Sequence, residues 1–175
     1  LFGDYNPAGR LPLTFYKDVA DIPHFENYNM DGFTYRYFDG EVLYPFGYGL
    51  SYTEFEYSDL SLSADELSAS SGKDVKIQVQ VKNMGKRAGE EVVQLYIADK
   101  SSKDPRPIKD LRGFSRIHLE PGEHKTVEFS IDLKDLSYWN IDKHSYVPTF
   151  GQYDVFVGSS SADKDLNRIS LNVKP

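Results

Sequence analysis

Carboxylates are the side chains most able to do chemistry in this chain, and their abundance hides any site they form. Among 175 residues there are 27 Asp and Glu, four His and no Cys. Acid–base cleavage of a glycosidic bond needs two carboxyls about 5 to 9.5 Å apart across the sugar. With so many acidic residues, pairs at that distance arise on any surface by chance. Asp163 with Asp165, and Glu90 with Glu91, read as solvated strand ends. Nothing in the sequence singles out one carboxyl as an acid of raised pKa. The histidines His24, His118, His124 and His144 lack the i,i+4 spacing of ligands on one helix face. His118 and His124 flank Pro121-Gly122, where they could face each other across a hairpin. Two imidazoles make at most half a zinc site, so solvated hairpin histidines are expected and no metal is called. The lack of cysteine excludes disulfides and thiolate sites. Neither a Gly-rich phosphate loop nor a Gly-x-Ser-x-Gly elbow is present, and Gly47-Tyr48-Gly49 has no following helix. No catalytic residue and no cofactor is therefore assigned.

Aromatic rings are the denser signal. Ten of them fall between Phe33 and Tyr57. Rings stack on sugar faces and a guanidinium can hydrogen-bond hydroxyls, so Tyr35, Arg36, Tyr37, Phe46 and Tyr48 are the candidate interface or substrate-proximal residues. Each ring also buries about 150–250 Å² when packed. A ring-rich segment without regular structure is expected to dock against another surface.

Two textures divide the chain. Residues 1–53 are crowded with Gly, Pro, Asn and Tyr and hold no sustained period; only Leu11–Phe15 and Tyr35–Phe38 look extended. From about Phe55 the period becomes two. Val75, Ile77, Val79 and Val81 alternate with polar residues, as do Val127, Phe129 and Ile131, then Tyr153, Val155 and Val157, and finally Ile169, Leu171 and Val173. Glu91–Ile97 is more continuously apolar, which predicts a strand covered on both sides. Weaker strands are expected at Tyr57–Leu62, Phe114–Leu119 and Ser145–Val147. Turns are marked at Ser71-Gly72, Asn83-Met84-Gly85, Pro121-Gly122 and Phe150-Gly151. The polar connection Asp99–Asp110, with Pro105 and Pro107, is expected to cross between sheets or reach a neighbouring domain. The pattern predicts an all-β, fibronectin type III-like (immunoglobulin-like) antiparallel β-sandwich over 54–175, with an irregular N-terminal extension.

Net charge is −7 with no basic cluster, which argues against nucleic acid as a partner. No apolar run nears the ~20 residues that span a bilayer, so no membrane partner is expected. The chain opens on Leu1-Phe2-Gly3-Asp4, from which an internal start is expected and no compartment can be read.

The motifs resemble the C-terminal region of glycoside hydrolase family 3, the family of many β-glucosidases and β-xylosidases. Gly3-Asp4-Tyr5-Asn6-Pro7-Ala8-Gly9-Arg10-Leu11-Pro12 resembles the family's G-x-x-N-P-[SA]-G-[KR]-L-P segment. Gly32–Phe38 with Leu43–Thr53 resembles G-R-T-Y-R-Y-F … L-Y-P-F-G-[YH]-G-L-S-Y-T, with Phe33 where Arg is frequent. Ala88–Tyr96, Leu111–Phe114, Leu119–Glu123, Asp135–Trp139 and Gly151–Ser160 resemble successive pieces of its fibronectin-like domain. The resemblance implies that 1–53 is the tail of an α/β sandwich domain plus linker. It also implies a retaining parent enzyme whose nucleophilic Asp and acid/base Glu precede Leu1, with the upstream catalytic domains as partners. A periplasmic or extracellular parent is the expectation. The short Met30-Asp31-Gly32 approach leans toward xylosidase-like members. The alternative is a carbohydrate-binding or surface-anchoring module for oligosaccharide, needing an exposed row drawn from Tyr96, Tyr138, Trp139 and Tyr146. Trp139, the only tryptophan, is expected in the core.

Overall fold

The computed structural model describes residues 2–175. The N-terminal segment forms a small ribbon of β1 (Phe15–Tyr16) and β2 (Val42–Tyr44), antiparallel, with a 3-10 turn at Val19–Asp21 and one α-helical turn, α1 (Thr34–Tyr37), between them. The expected extended piece at Tyr35–Phe38 is corrected by this turn. Thr34 stands at φ +58°, and Phe38 N–H closes the turn on Thr34 O at 2.9 Å.

Ten strands follow: β3 (Phe55–Leu62), β4 (Glu66–Ser68), β5 (Val75–Asn83), β6 (Gly89–Asp99), β7 (Asp110–Leu119), β8 (His124–Ile131), β9 (Ser137–Asn140), β10 (Ser145–Pro148), β11 (Gly151–Gly158) and β12 (Leu166–Lys174). They build a three-stranded sheet, β3-β5-β8, a five-stranded sheet, β4-β12-β11-β6-β7, and a separate β9-β10 hairpin. All the runs read from period two are strands here, including the three weaker ones.

Alternation explains the core. On β5, Val75, Ile77, Val79 and Val81 are buried, while Lys76 and Gln78 face outward and both bond Glu128 of β8 at 2.8 Å. From the other sheet come Val93, Leu95, Val155, Val157, Leu171 and Val173, which join the same apolar cluster. Each such side chain contributes about 1.5–3 kcal/mol when taken from water. The strand β6 is buried on both faces, as its continuous apolar run predicts.

Three expectations are corrected. The larger sheet is mixed: β4 lies parallel to β12, Leu67 opposite Val173. The chain leaves β3 of the small sheet at Leu62 and reaches the edge of the large one within a few residues, entering alongside β12, so the fold is not a purely antiparallel immunoglobulin-like arrangement. The Asp99–Asp110 connection does not cross between sheets, because β6 and β7 are antiparallel neighbours. It instead runs to α1, where Ile108 N–H bonds Arg36 O at 2.6 Å. The 119–124 turn does cross, from β7 of the large sheet to β8 of the small one. His118 on β7 lies opposite Glu90 and His124 on β8 opposite Lys82, so the two imidazoles sit on different sheets. Among the described residues no group of three or more His, Cys, Asp or Glu is arranged to hold a metal.

Candidate functional site

The seam between 1–53 and the strands is where polar and aromatic side chains converge. Asn6 clamps it at one end. Its amide donates to Ala88 O at 3.1 Å, and its Oδ1 accepts from Tyr52 N–H at 2.8 Å. Arg10 follows, its Nη2 2.5 Å from Glu91 Oε2. Tyr57 donates its hydroxyl to Glu91 Oε1 at 2.7 Å. Glu91 is 1% exposed, so its reading as a solvated strand end is wrong. Burial pushes its carboxyl above the usual range, while Arg10 and Tyr57 pull it back. The Tyr57 phenol is held well above its ordinary value, by burial first and the Glu91 charge next, so it stays a donor.

Gln94 is the second knot. Its Nε2 donates to Gly47 O at 3.2 Å and Ser159 O at 2.6 Å, and Tyr96 O–H donates to its Oε1 at 2.5 Å. Gly47 has φ +80°, and a Cβ there would run into the Gln94 amide. Only glycine suits both demands. Beside it, Ser161 N–H bonds Phe46 O at 2.9 Å, and Lys109 Nζ donates to Ser161 O at 2.9 Å and pairs with Asp163.

The five candidates from sequence divide into three places. Tyr35 and Phe46 stack at 4.3 Å, with Tyr96 edge-on to Tyr35 at 5.8 Å, and Leu111 N–H bonds the Tyr35 hydroxyl at 3.1 Å. Arg36 lies 3.1 Å from Asp110 and beneath it Tyr37 at 5.8 Å; both face a cleft on the other side of α1. Tyr48 stacks on Tyr44 at 5.3 Å, away from the other four. Arg10, Glu91, Tyr57, Gln94 and Lys109 escaped the sequence reading. The one available signal was a charged and an amide residue interrupting the apolar run Glu91–Ile97.

The outer side of the segment is rich in exposed apolar side chains, interspersed with charged ones such as Lys17, Asp21 and Glu26. Among the described residues, thirteen of the twenty exposed large hydrophobic side chains lie at or before Tyr52, Phe25 at 84% and Tyr28 at 95% exposure among them. That concentration on under a third of the chain exceeds the scattered exposure of an ordinary surface.

Comparison with known proteins matches the Glycosyl hydrolase family 3 C-terminal domain over residues 1–52 and the Fibronectin type III-like domain over 91–161. The chain is 40% identical over 173 residues to a xylan 1,4-β-xylosidase of Xylanibacter ruminicola, covering 99% of this chain and 19% of that protein. It is 44% identical over 174 residues to a periplasmic β-glucosidase of Salmonella typhimurium, covering 93% and 22%. A solved β-glucosidase from Kluyveromyces marxianus superposes with a TM-score of 0.83 at 38% identity, covering 99% of this chain and 22% of that one. The chain thus spans about a fifth of the length of the relatives it matches.

Proposed function

Since this chain belongs to glycoside hydrolase family 3 and corresponds to its C-terminal region, we propose that it is a non-catalytic part of a longer β-glucosidase or β-xylosidase. Its role is to pack against the catalytic domains and stabilise them. The carrying observation is the concentration of exposed apolar side chains on residues 2–52, a segment whose inner side is already riveted to the β-strands. A segment fixed on one side and rich in exposed apolar side chains on the other fits a wedge between two bodies. The division that follows places 1–53 as domain tail and linker and 54–175 as the fibronectin type III-like body. Tyr35 and Phe46 act within the wedge as packing, while Arg36, Tyr37 and Tyr48 sit at its margins.

Truncating the full-length polypeptide after Thr53 tests this role. Melting temperature and kcat/KM are expected to fall together; a truncated enzyme as stable and active as the intact one would refute it.

A further inference from the structure

Trp139 is not in the core. It projects from the β9-β10 hairpin 51% exposed, directly opposite Tyr146, which is 71% exposed. Their rings meet at 5.4 Å and 74°, forming an open corner rather than a packed stack. Tyr96, the remaining member of the expected exposed row apart from Tyr138, is fully buried.

Two hollows meet at Trp139. One, of about 360 Å³, runs under α1, and its polar wall is made by Asp99, Asp110, Asp135, Arg36, Arg106 and Arg112. The other, of about 410 Å³, runs outward past Asp104, Asn140 and Asp142. Arg106, Tyr138 and Trp139 border both. The extra residue that shifts the β6-β7 register between Leu95 and Tyr96 lies at Arg112, beside Asp110, and the two pair at 3.0 Å. Arg36 Nε is engaged in its ion pair with Asp110, while one terminal nitrogen of Arg106 is buried without a hydrogen-bond partner.

We infer that this double hollow is a binding site for a neutral oligosaccharide, one sugar ring in each hollow, with Trp139 and Tyr146 as the stacking corner; the choice of β-linked sugars rests on the proposed function. Across the two hollows stand five carboxylates, Asp99, Asp104, Asp110, Asp135 and Asp142, against three guanidinium groups, an excess of two negative charges. That favours a neutral ligand over an anionic one. Hydroxyl groups both donate and accept, and an alternating wall of acceptors and forked donors suits them. Protein-docking surfaces instead lose charged groups at their centre. Both volumes lie within the range of about 300–1,000 Å³ for small-ligand sites. The site shares Arg36 and Tyr37 with the margin of the docking wedge, while its aromatic corner stands on the β9-β10 hairpin, outside the wedge.

Trp139 is the only tryptophan, so its fluorescence reports this site alone. The chain is titrated with xylotetraose and cellotetraose. A saturable change with a midpoint of about 1 mM or below is expected. Tyr146→Ala should weaken it about tenfold, the effect of losing roughly 1.4 kcal/mol. Arg112→Gln, a second variant away from the aromatic corner, should weaken it too. Circular dichroism verifies that each variant is folded. In the full-length polypeptide, Tyr146→Ala should reduce retention on insoluble xylan or glucan. No change in Trp139 emission up to 10-fold above the expected midpoint would overturn the inference. So would equal binding by wild type and both variants, or equal retention of the two full-length forms.

Discussion

At the scale of single residues, the Arg10–Glu91–Tyr57 cluster determines how the N-terminal segment is held. Removing one partner of a buried ion pair leaves the other charge uncompensated, at about 3–5 kcal/mol. Arg10→Ala is therefore expected to cost about 3 kcal/mol near neutral pH. The pH dependence has a definite sign. Glu91 is already raised by burial, and the substitution takes away the cation that pulls it back. A carboxyl raised in the folded state favours folding below its unfolded value, about 4.3, and loses that contribution as pH climbs through the folded value. Urea melts of Arg10→Ala and wild type should thus diverge from pH 4 to pH 7; a constant gap would contradict the assignment. None of this was legible in the sequence, because the partner of Glu91 stands 81 positions away. Trp139 misled for a similar reason: a hairpin outside both main sheets carries it.

At the scale of elements, legibility followed the period. Strands such as β5 and β11 must present one apolar face every second residue, so their alternation reads directly. The 1–53 segment is held by contacts from scattered backbone positions to β6, such as Gln94 to Gly47, and has no local period to read. The Pro45–Tyr48 turn offers a direct check. Gly47→Ala combines a positive φ with a clash against Gln94, whereas Gly122→Ala has φ +77° and open space around it. The backbone cost, about 1–2 kcal/mol, is common to both. Gly47→Ala should be the more destabilising by at least about 1 kcal/mol, because Gln94 must also give up its bonds to Gly47 and Ser159. Equal denaturation midpoints would show that Gln94 is not a knot.

At the scale of the whole molecule, the exposed side chains are distributed unevenly. The strands bury their apolar faces in one shared cluster, while the N-terminal segment leaves Phe2, Val19, Phe25, Tyr28 and Leu50 in solvent. Motif resemblance, more than pattern, made the family legible, since composition alone describes many β-proteins. The docking claim is tested most directly by Phe25→Ser/Tyr28→Ser, introduced both into this chain and into the full-length polypeptide. Both side chains are almost fully exposed here, so the chain's own melting temperature should hardly move. In the full-length polypeptide the same pair should lower the melting temperature by several degrees, as loss of about 2 kcal/mol of burial would. An equal, negligible effect in both would contradict the account.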